Sequence, residues 1–204
     1  MNGSSITRRW QSPMPDLPVF SEFSESDGAV LIATAREAIA SKLEGRSPRW
    51  PVASTKLSME LGAFVTLRSG KGPGATLRGC IGRMDAKESL VRTVRGMAVA
   101  AAFEDQRFPP LARSEYLKIS IEITVLTPMR QIGSIDEIEV GRHGVHMSRG
   151  WHSAVFLPQV ATEQGWDRDE LLVNLSYKAG LSANAWKESD TKFQVFEGRV
   201  FEEI

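Results

Sequence analysis

Between Tyr116 and Leu126 the chain alternates without a break, with Leu117, Ile119, Ile121, Ile123 and Val125 apolar and Lys118, Ser120, Glu122 and Thr124 polar. Successive side chains of a β-strand point to opposite faces, so this run buries one face and wets the other. Such a strand is not stable alone in water. The chain is therefore expected to build a sheet and to cover its apolar face with something else.

The flanking segments supply strands and helices in a repeated order. Leu61 to Arg68 places Ala63, Val65 and Leu67 on one face, and the turn Ser69-Gly70-Lys71-Gly72-Pro73-Gly74 leads into Ala75 to Gly82, which predicts a hairpin. That glycine-rich turn lacks the spacing and the following Ser or Thr of a phosphate loop. Asp85 and Glu88 stand at capping-box spacing before the stripe Leu90, Val94, Met97, Ala98 and Ala101, and Phe108-Pro109-Pro110 stops that helix. The order then recurs. Val145 to Ser148 and Trp151 to Leu157 flank Arg149-Gly150, and Val160 to Gln164 adds a helical turn. Asp167 and Glu170 open a helix through Leu171, Leu172, Leu175 and Tyr177 that Gly180 ends. Lys192 to Glu202 closes as a strand. Ahead of all this, Ser24 to Asp27 caps a helix over about 26–44, with Ile32, Ala35, Ile39 and Leu43 on one stripe and Gly45 at its end. The fold class is α+β, with two β-hairpin-plus-helix lobes around a shared, mostly antiparallel sheet. A single domain is expected over 24–204, its lobes at about 24–128 and 129–204. Residues 1–23, with Pro13, Pro15, Pro18, Trp10, Leu17 and Phe20, predict an irregular strap or tail.

Composition narrows the function classes. Basic and acidic residues number 25 each, so the balance of charge favours no polyanion, and no nucleic-acid partner is expected. A single cysteine excludes a disulfide framework and a Cys-rich zinc or iron-sulfur site. No stretch approaches the length of a membrane span, and the first ten residues lack the apolar run of a secretion signal. A cytoplasmic protein without a membrane partner is expected.

That cysteine lies in Leu77-Arg78-Gly79-Cys80-Ile81-Gly82. Strict alternation puts Arg78, Cys80 and Gly82 on one face, with Arg78 and Cys80 about 7 Å apart between Cα atoms, where a guanidinium favours a thiolate. Glycines inside a strand mark a bulge or a close approach of backbone or ligand. A buried core cysteine fits the same residues. The hexapeptide resembles the signature of the AMMECR domain family, the protein A component of the AmmeMemoRadiSam gene system. Asp105-Gln106-Arg107-Phe108-Pro109-Pro110-Leu111, Leu157-Pro158-Gln159-Val160, and Lys178-Ala179-Gly180-Leu181 followed by Trp186 agree with it, in the family's order from about Ser26 to the C-terminus. The resemblance implies two related β-rich lobes around a shared sheet with helices outside, and a pathway shared with Memo-type and radical S-adenosylmethionine proteins as partners. It implies no particular reaction.

Two functions are expected from these residues. One is an enzyme in which Cys80, activated by Arg78, attacks a small molecule or modified protein, with Arg107 binding an anionic group and His143 as proton carrier. The other is a non-catalytic binding or scaffold module of the same system. His143, in the Gly141-Arg142-His143-Gly144 turn, reads more readily as a turn residue bonded to its own backbone than as a base. Asp105 either pairs with Arg107 or caps the turn, and Lys178 opposes the negative end of its helix. Binding candidates are thus Arg78, Gly79, Gly82, Asp105, Arg107 and Lys178. Zinc ligation by His143, His146 and His152 does not fit the usual spacings, and no metal or cofactor is expected. Cys80 is expected on a central strand beside a cleft walled by Arg78, Arg107 and the 141–144 turn. Removal of Arg78 is expected to cost little stability.

Overall fold

The computed structural model describes residues 23–85 and 87–203, so the strap expected over 1–23 lies, apart from Phe23, outside the described residues. Helix α1 (Glu25–Glu44) starts where Ser24 and Asp27 cap each other, and ends at Gly45, whose φ of 66° is a left-handed turn that glycine adopts without strain. Strands β1 (Ala63–Ser69) and β2 (Thr76–Arg83) form the first hairpin, and β3 (Ile119–Leu126) pairs with the other side of β1. Their inward side chains, among them Val65, Leu67, Ile121 and Ile123, are buried beneath α1 and helix α2 (Leu90–Phe103). Each such side chain contributes roughly 1.5–3 kcal/mol by leaving water.

Two local expectations are corrected here. Helix α2 begins after Ser89 rather than at an Asp85–Glu88 box, because Glu88 accepts a bond from Arg83 Nη1 at 3.0 Å and Asp85 pairs with Lys87 at 2.8 Å. Those carboxylates are drawn to side chains instead of a helix end. Leu117 is 87% exposed rather than inward, because the one-turn helix α3 (Arg113–Tyr116) reaches to it and the strand period starts only at Ile119.

The second half repeats the plan. Strands β5 (His143–Arg149) and β6 (His152–Phe156) form a hairpin, followed by helix α4 (Pro158–Gln164) and helix α5 (Arg168–Lys178). Helix α5 does open on the Asp167–Glu170 box. Val145, Met147, Leu172, Leu175, Phe193 and Val195 form a second buried cluster. Strand β7 (Lys192–Glu202) joins the halves. Its residues 192–197 pair with β5 and 198–202 with β3, while the two-residue β4 (Arg130–Gln131) adds to its flank. The order is β2-β1-β3-β7-β5-β6 and every pairing is antiparallel, which is the α+β architecture expected. No helix among the described residues is long and apolar enough to cross a membrane.

One close approach fixes α2 on the sheet. A Cβ at Gly79 would sit 2.2 Å from the carbonyl oxygen of Ala101, so the helix backbone lies directly on the strand there. Gly96, on the same helix, has open space around its missing Cβ. Gly79→Ala is expected to destabilise by about 2–4 kcal/mol in a denaturant melt, because backbone must move. Gly96→Ala is expected to stabilise by about 0.5–1 kcal/mol. Similar effects at both positions would show that the approach is not rigid.

Candidate functional site

Strand β2 is the outer strand of the sheet rather than a central one, so its far edge must be satisfied by something other than a strand. The segment after α2 does this. Cys80 donates its N–H to Asp105 Oδ2 at 2.8 Å, and Arg107 Nη2 donates to the Cys80 carbonyl at 3.3 Å. Asp105 and Arg107 are themselves joined by Nε–Oδ1 at 3.0 Å and Nη2–Oδ2 at 2.8 Å, with the Arg107 N–H also bonded to Oδ1 at 3.2 Å. A carboxylate and a guanidinium thus imitate the acceptor and donor of a missing neighbour strand. Asp105 is buried while the Arg107 side chain is 57% exposed. The Arg107 guanidinium, opposed by burial and helped by the Cys80 and Arg107 N–H groups, holds the Asp105 carboxyl well below the usual carboxylate range. In return the bond to Asp105 raises the pKa of Arg107, against the opposing effect of burial.

With its backbone polar groups facing outward, Cys80 pairs across to Thr66 on β1, and the Thr66 hydroxyl donates to Sγ at 3.3 Å. Cys80 is half-buried, and its face of the sheet is the one without α1 and α2. The same face carries the Arg68–Glu122 ion pair at 3.2 Å and the Phe64 ring, which lies over Gly82 so closely that a Cβ there would be 2.3 Å away.

Arg78 does not share this site. The register slips between Leu67, paired with Gly79, and Arg68, paired with Leu77, which leaves Arg78 as an additional residue in a bulge. Strict alternation therefore fails at Arg78. Its side chain is 8% exposed and bonds to Glu115 through Nε at 2.9 Å and Nη2 at 3.1 Å, and to the Pro109 carbonyl at 2.9 Å. Arg78 lowers the Glu115 pKa, assisted by the Ala112 N–H, and ties the 109–115 segment to the strand. Phe108 is near two cations, with Arg78 5.7 Å and Arg107 5.6 Å from its ring centre.

The remaining candidates lie in the other half. His143 is on β5, separated from β2 by β7, β3 and β1, so the sheet does not bring it to Cys80 or form a cleft wall from the 141–144 turn. It is buried, and Nδ1 accepts the Glu139 N–H at 3.1 Å, the turn role expected for it. His146 bonds to Gln194 and His152 to the Ala179 carbonyl, and among the described residues no three His, Cys, Asp or Glu side chains converge as metal ligands. Lys178 donates to the Val155 carbonyl at 2.9 Å and sits 4.4 Å from the Phe156 ring centre, with its pKa lowered by partial burial. Sequence reasoning missed Thr66 and Glu115. Thr66 needed the hairpin register, and Glu115 needed the path of the chain after Pro110.

The clamp has a pH signature. Asp105 is depressed in the fold, so its contribution is complete above its unfolded pKa of about 3.9 and is lost as pH falls toward the folded value. Asp105→Asn is expected to cost about 2 kcal/mol near neutrality, with the gap from wild type closing below about pH 4. Arg78→Ala is expected to cost about 2–3 kcal/mol rather than the small amount expected for a surface residue. Chemical melts at pH 3, 5 and 7 check both. A gap for Asp105→Asn that does not change with pH would remove the charged clamp from the explanation.

Comparison with known proteins places this arrangement. Protein MK0488 of Methanopyrus kandleri is 40% identical over 185 residues, which is 87% of this chain and 88% of that protein. Protein NEQ441 of Nanoarchaeum equitans is 38% identical over 180 residues, covering 85% and 98%. The crystal structure of an uncharacterized protein from Pyrococcus horikoshii, PH0010, superposes with a TM-score of 0.80 at 35% identity, covering 89% of this chain and 93% of that one. The AMMECR1 family model matches residues 32–201. The chain belongs to the AMMECR1 family.

Proposed function

We propose that the face around Cys80 binds a small ligand, or a modified group on a protein, that carries a negative charge. The observation that carries this reading is Arg107, whose guanidinium is fixed by Asp105 and by the Cys80 carbonyl yet is 57% exposed. Its Nη1 has no partner among the described residues. A planar cation held in place at one edge and open at the other suits a carboxylate or phosphate. Thr66 and the Cys80 thiol then supply a hydroxyl and a soft, polarisable contact beside the anion.

A binding module fits these residues better than an enzyme. A thiol nucleophile requires a base or proton carrier, and the partners of Cys80 among the described residues are a hydroxyl, a carboxylate already bound to a guanidinium, and that guanidinium. All three histidines lie on β5 and β6 with Nδ1 engaged. In a pathway with Memo-type and radical S-adenosylmethionine proteins, the module would hold the shared ligand or modified protein for them. Cysteine catalysis is the rival reading, favoured by the Arg107 guanidinium bonded to the backbone carbonyl of Cys80.

Alkylation kinetics test the anion site. Iodoacetate carries the charge that iodoacetamide lacks, so the ratio of their rates at Cys80 is expected to fall about three- to tenfold in Arg107→Gln. An unchanged ratio sinks the proposal. Native mass spectrometry of co-purified ligand separates the readings: Cys80→Ser retains the ligand in a binding module and loses a covalent adduct in an enzyme.

A further inference from the structure

Helices α1 and α2 cover the face of the sheet opposite Cys80, and a groove of about 670 Å³ runs between them. Its walls are the C-terminal half of α1 around Lys42, the chain that returns from Gly45 to Trp50, and Arg95, Gly96 and Val99 of α2. Volumes of roughly 300–1,000 Å³ are those of small-ligand sites. The cations on these walls are not equally compensated. Lys42 pairs with Glu104 at 3.8 Å, and Arg46 pairs with both Glu37 and Glu44. Arg95 has no carboxylate. Its guanidinium lies 3.9 Å from the Trp50 ring centre, its Nε is buried without a hydrogen-bond partner, and no hydrogen bond or ion pair reaches it among the described residues. Arg92, one turn earlier on α2, is exposed and equally without a carboxylate among the described residues. Burial, and after it the charge of Arg92, lower the Arg95 pKa. Stacking on Trp50 orients the guanidinium but leaves its charge uncompensated.

We propose that this groove binds a phosphate group, free or carried on a small molecule, with the Nη edge of Arg95 as its principal donor and Arg92 as the second cation. Charge selects the class of ligand. Two neighbouring guanidiniums without carboxylates match a phosphate, which carries about −1.5 to −2 near neutrality, better than a carboxylate with its single charge. Geometry agrees with charge. The two Nη nitrogens of Arg95, unlike Nε, are open to solvent, and a planar fork pairs with two phosphate oxygens at once. Trp50 already fixes the plane of that fork, so little side-chain freedom is lost on binding. Access is provided at Gly96, where nothing lies within 4 Å of the missing Cβ. The groove lies across the sheet from Cys80, and its ligand does not depend on the reading of Arg107.

Phosphorus NMR line widths of inorganic phosphate and of adenosine monophosphate, each added to the full chain in a phosphate-free buffer near neutral pH, test this. Both signals are expected to broaden with wild type. Tighter binding of the nucleotide assigns the group to a phosphomonoester and equal binding assigns it to the free ion, and either supports the proposal. Arg95→Gln is expected to weaken binding at least about fivefold and Arg92→Gln about two- to threefold. Gly96→Glu, at an exposed helix position with room for a side chain, places a carboxylate four residues after Arg92. It is expected to weaken phosphate binding at least about fivefold with a melting temperature equal to or above that of wild type, which separates loss of the site from loss of the fold. Lys192→Gln, the same change of charge on β7, and Arg107→Gln are expected to leave the affinity within about twofold. Unbroadened signals with wild type overturn the proposal. So does binding that survives both Arg95→Gln and Gly96→Glu, or binding that disappears in Arg107→Gln, which assigns the anion to the Cys80 face.

Discussion

A single strand of 11 residues, β7, carries the ladders of both half-sheets, and the rest of the architecture depends on it. Its first half is hydrogen-bonded to β5 and its second half to β3, so neither half-sheet is complete without the same stretch of backbone. The side chains follow. Phe193 and Val195 belong to the cluster under α5, whereas Phe201 belongs to the cluster under α1 and α2. Gly28 marks how tightly the first helix closes on that end: a Cβ there would meet the Phe201 ring at 2.2 Å. Two lobes of similar plan are thus joined by covalent continuity and by backbone hydrogen bonds, which constrain their geometry more than a linker would.

The outer edge of β2 raises the usual problem of an unpaired strand, and the chain answers it with charge instead of another strand. Asp105 and Arg107 satisfy the N–H and the C=O of Cys80. Arg78, displaced by the bulge, ties down the same loop through Glu115 and the Pro109 carbonyl. Two arginines that look equivalent in the sequence therefore do different work. The buried one holds the loop, and the half-exposed one presents a cation beside the thiol. Both guanidiniums lie within cation–π distance of the Phe108 ring.

The difference between Arg78 and Arg107 also shows where reading the chain stops being informative. Period two is a property of a regular ladder, and it located Ala63, Val65, Leu67, Ile121 and Ile123 correctly because those strands pair without interruption. A bulge shifts the period by one residue, and the partners that hold the displaced side chain lie outside the strand, at the Glu115 carboxylate and the Pro109 carbonyl. Two glycines in the hexapeptide hinted at such a disturbance without saying which residue it displaces. His143 illustrates the same limit at longer range. Its turn and its backbone bond follow from local residues, but its separation from Cys80 follows only from strand order.

Sequence by itself determined the two hairpins, the main helices, the two caps at Ser24 and Asp167, the closing strand and the family, because each rests on contacts within a few residues or on an unbroken period. Tertiary structure decided that β2 is an edge, that Arg78 is buried, that Thr66 faces Sγ and that the histidines stand apart. Those outcomes depend on which strands become neighbours. Strand order is set by how two clusters of apolar side chains bury together around β7, a sum over the whole chain that no local pattern contains.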